Sequence, residues 1–166
     1  MRYALSLVAL LALAPSALAG DPDIYPMGYE LYIPSKYFRP TAGPNQRLMT
    51  VINAQPEWEK LWGSLDPMAR DMAQKDPYPA PEIDFTRYSL LVAALGSGGG
   101  ESVAIEEVRS IGSDIIVNIV ALRPGPGCMV TTEMKYPIAL ALIPRTVKPV
   151  RFGVTKATFA CGSDAH

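Results

Sequence analysis

Histidine is almost missing from this chain of 166 residues: the only one is His166. A Ser-His-Asp or Cys-His catalytic arrangement needs an imidazole held by its surroundings, and a terminal residue is a poor candidate for that role. Cysteine is nearly as scarce, with only Cys128 and Cys161. Together these shortages leave no Cys/His cluster with zinc spacing, so no metal is expected. An excess of either charge is also lacking, with fifteen Lys and Arg against sixteen Asp and Glu, which argues against a general nucleic-acid or anionic-membrane binder. Long apolar runs are missing beyond the first nineteen residues, so no membrane anchor is expected after them.

Those nineteen residues (MRYALSLVALLALAPSALA) join one basic residue, Arg2, to a short apolar run and an Ala17-Leu18-Ala19 ending. This is the three-part pattern of a secretory signal cleaved after Ala19. The expected mature chain is one modestly acidic domain, exported to the periplasm or the extracellular space. In an oxidising compartment the default for Cys128 and Cys161 is a disulfide, tying the last strand to the loop at 124–128; their spacing is unlike that of a C-x-x-C redox pair.

Residues 20–45 are rich in Pro, Gly and Tyr and read as an extended arm with short edge pairings. Residues 46–166 form the domain proper. A helix follows a strand at 47–52, with Pro56 in its first turn and Trp58, Leu61, Trp62 and Leu65 at i, i+3, i+4 and i+7. That stripe is the seam expected to dock the helix on a sheet. Asp66 and Pro67 suggest a second short helix through Ala73.

From Tyr88 onward the pattern changes to strands at 88–95, 102–108, 114–122, 129–133, 136–143 and 150–161. The strand at 114–122 (DIIVNIVAL) is apolar at both parities and is expected to be central and covered on both faces. The fold class is therefore mainly β: an antiparallel sandwich or partly closed barrel with one or two short helices packed against it.

The glycine cluster at 96–100 lacks both the Lys-Ser/Thr ending of a P-loop and the spacing of a dinucleotide fingerprint, so it reads as a hairpin turn and no cofactor is expected. Glu101, Glu106, Glu107 and Asp114 lie along or beside strands, where solvent-facing charge near Arg109 is the expected reading. Gly98, Gly99, Gly100 and Glu101, with Arg123, Pro124, Gly125 and Tyr136, are the candidate binding residues, because glycine-rich loops allow close backbone approach by a partner.

The ordered set of Trp58 and Trp62, PEIDF at 81–85, the strand from Tyr88 into the glycine cluster, Ile105 to Val108, RPGPG at 123–127, and Lys135-Tyr136-Pro137 resembles the C-terminal-domain family of the bacterial protease-complex subunit PrcB. The resemblance covers about residues 48–143. It implies a small exported domain without catalytic machinery, from a family named for a component that assembles with a surface protease. The family's glycine-rich turn often continues into Gly-Tyr, whereas Gly100 here precedes Glu101 and Ser102. The leading expectation is a non-catalytic binding or assembly domain with a protein partner. The alternatives are a protease inhibitor, which needs the two loops at one end, and a hydrolase with a carboxylate or Ser-Lys site, which needs a pocket with convergent ionisable groups.

Overall fold

The computed structural model describes residues 24–32, 43–65, 79–97, 101–129 and 135–161. Within them eight strands and one helix follow in the order β1 (Ile24–Pro26), β2 (Glu30–Leu31), β3 (Leu48–Ile52), α1 (Gln55–Ser64), β4 (Tyr88–Ala94), β5 (Ser102–Ile111), β6 (Asp114–Pro124), β7 (Ile138–Pro144) and β8 (Val150–Phe159). They form two four-stranded sheets, β1-β5-β6-β8 and β2-β7-β4-β3. The mainly β class is as the strand pattern predicts.

Side-chain alternation explains how the sheets stack. Leu91 and Ala93 of β4, Ala141 and Ile143 of β7, Ile105 and Val108 of β5, and Ile115, Val117 and Ile119 of β6 meet between the sheets in one buried cluster. The opposite parity of β4 and β7, with Leu90, Val92 and Leu140, points away from that core and is covered by α1 and by Ile83 and Phe85 of the segment before β4. β4 thus has apolar cover on both faces, which is why it reads as a continuous apolar run. The strand expected to have that property, β6, is central but only one of its faces is buried: Ile116, Asn118, Val120 and Leu122 are half-exposed.

The helix seam forms as its spacing predicts. Trp58, Trp62 and Leu65 are buried and Leu61 is half-buried. The two indoles meet edge to face at 5.3 Å, and Trp58 Nε1 donates a 2.9 Å hydrogen bond to the Pro81 carbonyl, so the buried ring leaves no donor unpaired. Ala54 at the N-cap offers no side-chain acceptor, and Glu57 instead reaches back to the Asn53 N–H at 3.4 Å.

The N-terminal arm forms short edge pairings, β1 on β5 and β2 on β7, so residues 27–29 cross from one sheet to the other. Met27 N donates to the Val108 carbonyl, and the Tyr29 hydroxyl reaches the Ile105 and Glu106 carbonyls, at the place where Glu106 interrupts the β5–β6 register as a bulge. This crossing closes one side of the sandwich.

Three expectations are corrected. β8 pairs parallel to β6, from Ile115 opposite Val150 to Pro124 opposite Phe159, so this sheet is mixed, while β2-β7-β4-β3 is antiparallel throughout. The glycine-rich segment after β4 is not a hairpin turn, because β4 and β5 belong to different sheets and the segment passes between them. Met129, the expected start of a strand at 129–133, is not in a strand. The leader, the proposed second helix at 66–73, and residues 130–133 lie outside the described residues, as do Gly98, Gly99, Gly100 and His166.

Candidate functional site

The described candidate residues gather at one end of the sandwich. Ser102, the first residue of β5, pairs with Leu122, so the end of the glycine segment stands beside the loop that leaves β6. Arg123 Nε and Glu101 Oε1 join the two at 2.7 Å. Tyr136 lies just ahead of β7, whose first residue, Ile138, pairs with Ala94 at the end of β4. The Leu95 N–H donates to the Pro137 carbonyl at 3.2 Å, which draws the start of the glycine segment to the same end.

Backbone proximity explains the glycines here. A Cβ on Gly125 would stand 2.9 Å from the Phe159 carbonyl oxygen, which already accepts the Gly125 N–H at 2.9 Å. Only a residue without a Cβ lets the loop lie against the end of β8 in this way. Gly96, with φ +89°, similarly leaves room for the Asn45 carbonyl. Gly43 packs against Tyr136, which is half-buried.

The disulfide predicted for an oxidising compartment is formed between Cys128 and Cys161, with Cα atoms 5.3 Å apart. It ties the loop after β6 to the chain leaving β8. On either side of it in sequence lie two exposed apolar residues, Met129, fully exposed, and Phe159, 42% exposed. The end surface therefore combines a covalent brace, an ion pair and an apolar rim.

No family model matches the chain, and neither a curated protein nor a solved structure matches it.

At the other end is a polar network that the residue pattern did not single out. The buried Ser89 hydroxyl donates to Asn53 Oδ1 at 2.6 Å and accepts the Thr146 N–H at 3.1 Å. Arg145 Nη1 donates to Asn53 through both its carbonyl and Oδ1, at 2.7 and 2.8 Å. Nearby, Lys148 Nζ donates to Ser110 Oγ at 3.1 Å and to the Gly112 carbonyl at 3.0 Å. This is the Ser–Lys contact within the described residues that bears on the hydrolase alternative. A Ser–Lys pair needs an amine that accepts from a hydroxyl open to substrate. Ser110 is 1% exposed, and the ammonium here satisfies a buried acceptor and a turn carbonyl. The signal in the sequence was a serine at inward parity in each strand: Ser89 with Leu91, and Ser110 with Val108.

Two further carboxylates, Glu107 and Asp114, lie against arginines rather than against each other. Glu107 Oε2 accepts from Asn118 Nδ2 at 3.0 Å and lies 3.2 Å from Arg109 Nε, an ion-pair distance without hydrogen-bond alignment, and Asp114 takes Arg151 Nε at 2.7 Å. Among the described residues no group of three His, Cys, Asp or Glu side chains is placed to hold a metal ion. No helix among them is long and apolar enough to cross a membrane.

Proposed function

We propose that the chain is a non-catalytic exported binding or assembly domain whose partner is a protein, and that it engages this partner with the disulfide-braced end of the sandwich. The observation that carries the reading is the meeting there of the Glu101 and Arg123 segments beside solvent-exposed Met129 and Phe159. Apolar side chains held on a rigid, cross-linked rim lose little conformational freedom on binding, which favours association. Resemblance to the PrcB C-terminal-domain family supports an extracytoplasmic protein complex, a protease complex among the possibilities.

The test is recovery of the tagged protein from its native envelope after mild crosslinking. A discrete heteromeric product is expected from the natural chain, reduced at least tenfold when Met129 and Phe159 are both replaced by serine. Recovery of monomer alone from the natural chain would refute the reading.

A narrower form of it is protease inhibition, favoured by the single observation that both loops reach one end. It requires saturable inhibition of an extracellular protease at stoichiometric ratios, lost on exchange of Arg123 for alanine.

A further inference from the structure

The side of the sandwich opposite the β1–β2 crossing is open. β8 forms one edge of its sheet and β3 one edge of the other, and among the described residues each has a strand neighbour on one side only. Between them runs a groove of about 340 Å³ whose wall includes Met49, Val51, Val150 and Phe152. These side chains face the interior at the same parity as Leu91 and Val117, yet they are half-buried where those two are fully buried. Val147, also in the wall, is 94% exposed. The interlayer core thus continues to the edge and remains uncovered there.

Charge selects what would cover it. Lys148 is the one ionisable side chain in the groove wall, at the end where β8 begins. β3 and β8 run in opposite directions across the groove, because Leu48 pairs with Ala94 near the loop end while Val150 pairs with Ile115 at the far end. Exposed Arg47, before β3, and exposed Lys156, opposite Ala121, therefore lie toward the loop end. The groove wall sets apolar Met49, Val51, Val150 and Phe152 among polar Thr50, Asn53 and Thr146, with cations toward both ends. Asp114, the carboxylate nearest β8 in register, is already paired with Arg151.

We infer that this groove accepts one extended segment of a partner protein, apolar at alternate positions and acidic at both ends, which adds to β8 as a fifth strand of its sheet. Among the described residues no strand pairs the outer edge of β8, so its outward N–H and C=O groups supply the main-chain bonds, and alternate side chains of the added strand cover Phe152 and Val51. This surface is separate from the loop end, so its failure leaves the reading of that end intact.

The probe is a nine-residue capped peptide, DVTVEITVD, titrated against the full disulfide-bonded protein by fluorescence anisotropy, with amide hydrogen exchange as a second readout. Saturable micromolar binding is expected, with slowed exchange in β8. N-methylation of alternate peptide amides removes strand hydrogen bonds without touching the protein and is expected to weaken binding at least tenfold. Replacing the acidic residues of the peptide by lysine, or making Lys156→Glu in the protein, is expected to weaken it at least threefold, and added salt to weaken it further. Equal binding of the N-methylated or lysine peptide, protection elsewhere than β8, or no saturable binding would overturn the inference. Concentration-dependent dimerisation in sedimentation that blocks the peptide would also overturn it, by identifying a second copy as the occupant.

Discussion

Arg123 Nε lies 2.7 Å from Glu101 Oε1, and this contact joins the chain leaving β6 to the chain entering β5. Both side chains retain contact with water, at 51% and 23% exposure, so solvent screens the pair. Glu101→Gln is expected to cost less than about 1 kcal/mol in chemical denaturation. If the loop end is the contact surface, the same substitution reduces crosslinked partner recovery severalfold; an unchanged yield would show that the pair only orders the loops.

The Cys128–Cys161 bond closes a separation of 33 residues. On the chain-entropy estimate its loss, in the Cys128→Ser, Cys161→Ser double variant, costs about 3 to 4 kcal/mol. Alkylation of the denatured, unreduced protein should leave its mass unchanged. Addition of two alkyl groups would contradict the bond.

Trp58 is fully buried and its indole N–H is paired with Pro81. Trp58→Ala is expected to destabilise by about 3 to 5 kcal/mol through the cavity it leaves. Trp58→Phe keeps much of the packing but leaves the Pro81 carbonyl with only the longer 3.4 Å hydrogen bond from Gln55 Nε2, costing about 0.5 to 1.5 kcal/mol. Equal effects of the two in urea titration would mean that packing contributes little beyond the hydrogen bond.

Asp84 accepts hydrogen bonds from the side chain and backbone of Thr86, with Arg87 adding attraction, and these hold its carboxyl below its ordinary value of 3.8. A folded pKa that is depressed contributes stability above the unfolded pKa and loses it as pH falls from that value through the folded one. The Asp84 carboxyl carbon should therefore titrate in NMR below 3.8, and Asp84→Asn should flatten the acid limb of the stability profile. A midpoint at or above the ordinary value would refute this.

The Asn53–Ser89–Arg145 network joins the ends of β3 and β4 to the chain leaving β7. Asn53→Ala removes the acceptor of a buried hydroxyl and is expected to cost about 1 to 3 kcal/mol. A change within a few tenths of a kcal/mol in guanidinium denaturation would show that the hydroxyl finds another acceptor.

Much of this architecture is visible in local periodicity, because a helix stripe and an alternating strand are statements about neighbours in the chain. Trp58, Trp62 and Leu65 identify the docking face of α1 for that reason, and a pair of cysteines read with the expectation of export is enough to predict the bond. Sheet membership is different. A strand has the same two-residue period whether its neighbour runs parallel or antiparallel, so the β6–β8 pairing left no mark on either segment. The passage of the glycine segment between sheets was hidden likewise, and with it the meeting of Glu101 and Arg123. Ser89 and Ser110 were legible only as serines in apolar strands, since their partners Asn53 and Lys148 are distant in sequence.

The N-terminal crossing carries a kinetic consequence. The chain between β6 and β8 passes through β7 of the other sheet, yet the β6–β8 partners are nearer in sequence than those of any other pairing except β5–β6, whereas β1 on β5 and β2 on β7 close the longest stretches of chain. Contacts that depend on such distant closures form slowly. β1 and β2 are thus the last strands expected to assemble, while Cys161 arrives earlier with β8, so the disulfide can close before the N-terminal crossing does. Pulse-labelled amide exchange during refolding would show protection of β6 and β8 ahead of β1 and β2; simultaneous protection would refute this order.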